Sequence, residues 1–351
     1  MDHTDLEHPQ NQLPAGIVKG FLLVLTVVLG ILVLSRLKAA QIAGMSQSRS
    51  GIPRGFGTTD PVLQRAIATN DVATIKERLA VLPKDRIRPS IVDTLAYRST
   101  AKSLDAFLSA GWEPSGGRHD NGAFLSALAR GDTEVVNVFL RHGLSGATTD
   151  RNGIPAIAYA IRLTPYGIPD GAKKCEALTK LILDHGGKTE GEWTEMRPQS
   201  RFSAESLLRG YPPQGTTFRP LYLASTLHNP VAARVLLERR ADPNWAPTGG
   251  VPPIIVARDD LHTPELTQLL LEYGARPDAT GEINRYLRAG KQETVTATSL
   301  YFNAESGDDE TVRILLRHGA NPNRPASNGK TPYEAARGDA LELLRKYRKG
   351  R

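Results

Sequence analysis

The sequence lacks the side chains on which several kinds of site depend. It holds one cysteine, Cys175, so no intrachain disulfide can form and no cysteine-based zinc or iron–sulfur site is possible. Its 32 glycines and 24 prolines in 351 residues are close to ordinary globular usage, which excludes a collagen-like or wholly disordered chain. The formal net charge of +7 is too diffuse to indicate nucleic-acid binding by itself.

Catalytic motifs are missing as well. No Gly-x-Ser-x-Gly and no His-Glu-x-x-His occurs. The Gly-Lys-Thr triplets at 187–189 and 329–331 could end a phosphate-binding loop, but Ile182 and Arg324 stand where that motif requires glycine. Cys175 follows two lysines that could lower its pKa, yet no base is placed near it, so we interpret it as a small residue opening a helix. We predict no enzyme activity, no cofactor and no metal.

One long apolar run stands near the N-terminus. Sixteen residues without a charge, 20–35, lie between Lys19 and Arg36. Lys19 can extend its amine to the interface, so the apolar stretch reaches about 28 Å as a helix, close to the ~30 Å apolar core of a bilayer. We predict one transmembrane helix over 17–36, behind an N-terminal tail over 1–16.

A cleaved signal peptide is the alternative to this anchor. The tail is acidic where a signal peptide is basic, and the alanines at 39, 40 and 43 offer only weak cleavage sites. One basic residue precedes the run and four follow it by residue 55, which favours a cytoplasmic C-terminal domain. In a bacterium the span would lie in the inner membrane, and a periplasmic array stays open.

Beyond a flexible linker over 37–60, the chain repeats itself. Each copy has a short apolar helix, a break, a second helix ending in Leu-Leu or Phe-Leu, and a turn. The clearest copies are 123–143, 219–244, 252–278 and 302–323. Such a helical hairpin cannot bury its apolar face alone, so the pattern predicts stacked hairpins whose small first-helix residues allow close approach.

These copies resemble the ankyrin repeat. Residues 319–323 (Gly-Ala-Asn-Pro-Asn) match the family's turn, and 331–332 (Thr-Pro) match the opening of its first helix. Residues 120–122 and 150–153 match the hairpin tip that precedes a repeat. The resemblance covers 61–351 and implies an all-α solenoid of about seven repeats plus a partial cap.

The turn positions also locate extra sequence. Three intervals between them exceed the roughly 33 residues of a bare repeat. We therefore predict insertions near 163–174, 190–217 and 279–297. Arg240 stands at a turn position where glycine is usual. The turn positions are Gly111, Gly143, Gly186, Arg240, Gly274 and Gly319.

Three of the eight histidines, His142, His185 and His318, occupy one slot, directly before a turn glycine. A cation at a helix C-terminus is favoured by the helix dipole, whereas ligands in stacked repeats lie too far apart to share one zinc ion. We predict helix C-caps. The basic C-terminus is interpreted in the same way, as the solvated face of a capping helix.

The remaining candidate function is the binding of a protein partner at the surface of the array. Ankyrin arrays resemble one another in binding through hairpin tips and the concave first-helix face, and Trp and Arg are enriched at binding hot spots. The tryptophans could equally pack against the next tip. The candidate residues are Trp112, Arg118, Asp120, Asp150, Arg151, Trp245 and Arg324.

The sequence therefore predicts a membrane-tethered protein-interaction module, either a scaffold or an inhibitory or protective partner. Its protein partner is unidentified, and neither nucleic acid nor a small-molecule substrate is expected. The alternative is an exported soluble ankyrin interactor with a cleaved signal, for example a periplasmic immunity-type protein.

Overall fold

The computed structural model describes residues 58–88, 90–98, 100–113, 121–163, 170–194, 217–248, 250–258, 264–286 and 292–349. Sixteen helices in these residues form eight consecutive pairs. The first four pairs are α1 Pro61–Thr69 with α2 Val72–Val81, α3 Ile91–Tyr97 with α4 Ala101–Ser109, α5 Gly122–Arg130 with α6 Thr133–Arg141, and α7 Ala156–Ile161 with α8 Gly171–Asp184. The others are α9 Pro220–Thr226 with α10 Pro230–Glu238, α11 Pro253–Val256 with α12 Glu265–Glu272, α13 Ser299–Ser306 with α14 Asp309–Arg317, and α15 Pro332–Ala335 with α16 Gly338–Lys349.

The pairs stack into two rows. The second helices form one row in which each contacts the next, from α2 to α16, and the first helices α3 to α11 contact one another in the same order. The small residues predicted to let these helices approach are all at most 3% exposed: Ala66, Ala127, Ala160, Ala224, Ala257 and Ala304. The predicted all-α solenoid is confirmed.

Four of the second helices begin with the same kind of N-cap residue. The side chains of Asp71, Asp132, Asn229 and Asp308 each accept a hydrogen bond from the backbone N–H three residues later, at 3.0–3.2 Å. Each bond satisfies a donor that the first turn of a helix would otherwise leave unpaired. The same local chemistry therefore begins the second helix in repeat after repeat.

The residues at the turn positions adopt the left-handed backbone conformation. All six turn positions have positive φ, from 65° at Arg240 to 94° at Gly186. The breaks between paired helices behave alike at Gly131, His228 and Gly307, with φ of 70°, 50° and 81°. Left-handed backbone closes helix ends and is strained for residues other than glycine.

Arg240→Gly is expected to stabilise the array by about 0.5–1 kcal/mol, because glycine removes the left-handed strain at this helix end. Arg240 is exposed, and its side chain makes no hydrogen bond within the described residues. The denaturant midpoint, followed by far-ultraviolet circular dichroism, measures the gain. Gly274→Ala, at the corresponding position with φ +93°, should instead destabilise. A loss of stability in Arg240→Gly would contradict this account.

Within the described ranges, two antiparallel strand pairs interrupt the helices, and sequence analysis predicted neither. β1 Trp193–Thr194 pairs with β2 Thr217–Phe218, and β3 Thr280–Tyr286 pairs with β4 Gln292–Thr298. The longer hairpin joins the next turn, since Ser327 N–H donates to the Thr296 carbonyl at 2.9 Å. The strands lie where insertions were predicted near 190–217 and 279–297.

The start of the array precedes residue 61. Thr58 forms a β-bridge with Ile87, and the Asp60 side chain caps α1 by accepting from Leu63 N–H at 2.6 Å. The predicted transmembrane helix over 17–36 lies outside the described residues. Within those residues no helix has the length and apolar character needed to cross a bilayer.

Candidate protein-binding surface

Asp150 organises the tip that precedes α7. Its Oδ1 accepts from the N–H groups of Asn152 and Ile154, both at 2.8 Å, and its Oδ2 accepts from the Tyr159 hydroxyl at 3.0 Å. Partial burial raises the pKa of this carboxyl, but the hydrogen bonds, led by that from Ile154, outweigh burial and leave the pKa below its usual value. Asp150 thus shapes the tip on which Arg151 is exposed.

We expect Asp150→Asn to cost about 1 kcal/mol at pH 7 and progressively less as the pH falls through the folded-state pKa of the carboxyl. The folded-state pKa is lowered, so the carboxylate stabilises the fold above its unfolded pKa of about 3.9, and that stabilisation disappears as pH falls through the folded pKa. Denaturant midpoints across pH 2–7 measure it. Glu77→Gln, which changes an exposed carboxylate on α2, is the control. A pH-independent deficit in Asp150→Asn would show that ionisation is irrelevant.

The two tip tryptophans are half-buried. Trp112 meets Phe107 edge to face, with centroids 6.1 Å apart. Trp245 meets Tyr222 in the same way at 5.7 Å, and the Arg219 guanidinium carbon lies 4.7 Å from the Trp245 ring centroid. Both indoles therefore contribute to packing around their own tips.

The charge of Arg219 is neutralised by two neighbouring glutamates. Its Nη2 donates to Glu192 Oε1 at 2.7 Å, and its Nη1 donates to Glu190. Glu190 also accepts from Asp242 N–H at 2.9 Å, which joins two successive turns. The arginine beside Trp245 is thus committed to holding the array together.

Arg324 also links turns. It is exposed, and its Nη1 donates to the Asp278 carbonyl at 2.9 Å, while Asp278 Oδ1 accepts from Asn321 N–H at 2.8 Å. Arg118 and Asp120 lie outside the described residues. Among the described candidates, no hydrogen bond, ion pair or ring contact joins Trp112, Asp150, Arg151, Trp245 or Arg324 to another of the five.

The residues considered for chemistry have structural roles. Cys175 is buried in α8, its thiol accepts from Asn229 Nδ2 at 3.3 Å, and burial raises its pKa, which disfavours a nucleophilic thiolate. His142, His185 and His318 are helix C-cap residues, as predicted. No group of His, Cys, Asp and Glu side chains within the described part of the chain could hold a metal ion.

The helical hairpin of α13 and α14 matches a known protein family. Residues 297–327 match the ankyrin repeat family model, and this segment holds both helices, the left-handed break and the closing turn. The fold is an ankyrin-repeat solenoid.

Two relatives share part of the sequence. An ankyrin repeat-containing protein of Treponema pallidum is 27% identical over 160 residues, which are 44% of this chain and 41% of the relative. XBAT35 of Arabidopsis thaliana, which carries the name of an E3 ubiquitin-protein ligase, is 31% identical over 117 residues, 33% of this chain and 23% of the relative. The chain thus matches less than half the length of either.

Two solved ankyrin repeat domains also match. That of human ASB11 has a TM-score of 0.47 at 15% identity and covers 72% of this chain and 96% of its own. That of Bcl-3, a member of the IkappaB protein family, has a TM-score of 0.40 at 17% identity and covers 82% of this chain and 99% of its own.

Sequence analysis missed a patch on the first-helix row of the ankyrin array. It is formed by Tyr97 and Arg130, at the C-terminal ends of the neighbouring first helices α3 and α5. Tyr97 is 53% exposed, and the Arg130 guanidinium carbon lies 5.4 Å from its ring centroid. A signal was present, because Arg98, Arg130 and Arg162 follow one another at intervals of 32 residues.

Proposed function

We propose that this chain is a protein-binding ankyrin array that grips its partner with the first-helix row and the neighbouring turns. The observation that carries the proposal is the exposed Tyr97 ring with Arg130 across it, set in an array of stacked ankyrin hairpins. Exposed Tyr and Arg side chains are enriched at binding hot spots. The array then acts through binding, as a scaffold or as an inhibitory or protective partner.

Site-specific photocrosslinking tests this function. A photoreactive amino acid would replace Arg98, Arg151 or Arg324 in the full chain in its own cells. Exposed Lys76 on α2 and Arg313 on α14, in the second-helix row, provide control positions. We expect one protein to be captured from the first group, with little capture from the controls. Equal capture from both groups, or none from the first, would refute a binding face on this side.

We further propose that the array is held at a membrane by the apolar segment 17–36. The support is the length of that uncharged run and its flanking charges. Protease treatment of spheroplasts, with a C-terminal tag as reporter, tests the arrangement. Protection until lysis is expected for a cytoplasmic array. Digestion in unlysed spheroplasts would place the array outside the cytoplasm, and a mature N-terminus near residues 40–45 would favour the exported alternative.

A further inference from the structure

The longer strand pair leaves one edge open. Ser327 N–H donates to the Thr296 carbonyl at 2.9 Å, and Thr296 N–H donates to Ser327 Oγ at 3.0 Å, so both main-chain groups of Thr296 point away from β3. Glu282 lies opposite Thr296. In an antiparallel pair, opposed residues that do not exchange hydrogen bonds both turn their main-chain groups outward. The N–H and carbonyl groups of Glu282 therefore point away from β4.

The outward direction continues along β3. Main-chain groups alternate along a strand, so Asn284, two residues beyond Glu282, also turns its N–H and carbonyl outward. Within the described residues, no main-chain hydrogen bond joins Glu282 or Asn284 to another element. The opposite edge of the hairpin, on β4, is already occupied at Thr296 by Ser327. The outer edge of β3 therefore presents two donors and two acceptors.

This edge has few of the features that protect exposed strands. Natural edges are blocked by proline, by charged side chains and lysine above all, by bulges or by being very short. β3 is seven residues long, contains neither proline nor lysine, and pairs with β4 without a bulge from Thr280 to Tyr286. Such an edge is a template on which an extended chain can form a further strand.

The hairpin is packed against the array at its base. A Cβ at Gly281 would lie 2.6 Å from Val251 Cγ1, so β3 rests directly on the tip before α11. Val295 of β4 is 0% exposed, and Ile283, opposite it on β3, is half-buried. Because one face is buried, the register of the two strands is fixed. The edge is therefore formed before a partner arrives, and little chain entropy is lost on that side.

We propose that the outer edge of β3 binds an extended segment of a protein partner as an added strand, with a lysine or arginine of that segment opposite Glu282. This contact adds to the first-helix surface and does not depend on it. Glu282 is exposed, and no cation lies within 4.0 Å of its carboxylate in the described part of the chain. Opposite charges on facing residues stabilise a strand pair. A second copy of β3, paired about its middle residue Ile283, would place Asn284 opposite Glu282 and supply no cation.

The two faces of the hairpin define the residue pattern of the added strand. Side chains alternate between the faces along a strand. Thr280 and Glu282 are exposed on one face, whereas Ile283 on the other face packs against the core. Basic residues of the partner would lie beside Glu282, and the residues between them would lie beside Ile283. The expected segment therefore alternates lysine or arginine with valine or isoleucine.

A peptide titration tests the charge. The probe is a fluorescein-labelled peptide with three Lys-Val pairs between Gly-Ser ends, and its matched control has glutamate in place of each lysine. Fluorescence anisotropy would be measured with the full chain in neutral detergent. We expect binding of the lysine peptide only. Glu282→Lys should weaken it about ten-fold and permit the glutamate peptide to bind, whereas Glu77→Lys, at an exposed acid on α2, should change affinity less than about two-fold.

Asn284→Pro tests the main-chain contact. Proline removes an N–H that points outward, so the ladder between β3 and β4 is kept while a bond to the added strand is lost. We expect at least ten-fold weaker binding of the lysine peptide, with the circular dichroism spectrum unchanged. Hydrogen exchange on the unsubstituted chain keeps the test valid if this variant misfolds. The peptide should protect the amides of Glu282 and Asn284, and that of Ile283, which faces β4, should change little.

Several outcomes would overturn the inference. Binding of both peptides to the unsubstituted chain, or of neither, would do so, as would binding of the lysine peptide that survives Asn284→Pro in a folded chain. A dimer that forms without peptide and is abolished by Asn284→Pro, measured by sedimentation, would overturn it in favour of pairing between two copies. Failure of the lysine peptide to bind, with photocrosslinking from the first-helix row intact, would refute the inference and leave the proposed function standing.

Discussion

Asn229→Ala is expected to lower the free energy of unfolding by about 3 kcal/mol. Asn229 is 0% exposed and joins two repeats. Its Nδ2 donates to the Ile161 carbonyl at 2.9 Å and to the Cys175 thiol at 3.3 Å, and its Oδ1 accepts from Ala232 N–H at 3.0 Å. Alanine would remove the α10 cap and leave buried polar groups unpaired on both sides of the repeat boundary.

The matched control is Asp71→Ala, which removes the same cap from α2 at an exposed position. It should cost only about 1 kcal/mol, because water can satisfy the groups it leaves. Denaturant unfolding of both variants, followed by circular dichroism, gives the comparison. Similar losses from the two substitutions would show that the buried bonds of Asn229 add nothing beyond capping.

Gly146→Ala is expected to cost about 3 kcal/mol by forcing two neighbouring repeats apart. An added Cβ would lie 2.1 Å from the Ile182 carbonyl oxygen and 3.0 Å from Gly187 N. Both are backbone atoms, so no side-chain rotation relieves the clash. The shift would also strain the bond from Gly146 N–H to the His185 carbonyl, now 2.8 Å.

Hydrogen exchange locates the effect, because the Gly187 amide donates to Ile182 O at 2.9 Å beside the clash. Its protection should fall in Gly146→Ala more than that of Ala320, whose amide makes the equivalent bond to Leu315 at 3.0 Å far along the array. Gly191→Ala is the control, since its nearest contact would be an ordinary 3.5 Å to Lys188 Cβ. A neutral Gly146→Ala would mean that the repeats have room to separate.

Features decided within one repeat were readable from the sequence. The twelve-residue spacing of break and turn located left-handed residues even where glycine is replaced, at His228 and Arg240. The histidines before turn glycines proved to be helix C-caps. Such features depend on contacts within one helical hairpin, so residue type and spacing suffice to place them.

Contacts between repeats were not readable in this way. The tip tryptophans had two equal interpretations, and only the packing of Trp245 against Tyr222 and Arg219 showed that it is held within the array. The hairpin over Thr280–Thr298 was taken as extra sequence, because its pairing and its contact with Ser327 join residues far apart in the chain. The roles of the candidate binding residues themselves stay predictions.

The sequence by itself determined that the chain is an array of stacked helical hairpins and where its helices break and turn. These properties follow from the periodic placement of apolar, small and left-handed residues within about 33 positions. Only the tertiary structure decided which charges are cancelled and which are presented. Arg219 and Arg130 look alike in the sequence. Among the described residues, stacking places two glutamates against Arg219, but a tyrosine ring and a carbonyl against Arg130. The electrostatic field at the surface of a solenoid therefore depends on which side chains stacking places against one another in neighbouring repeats.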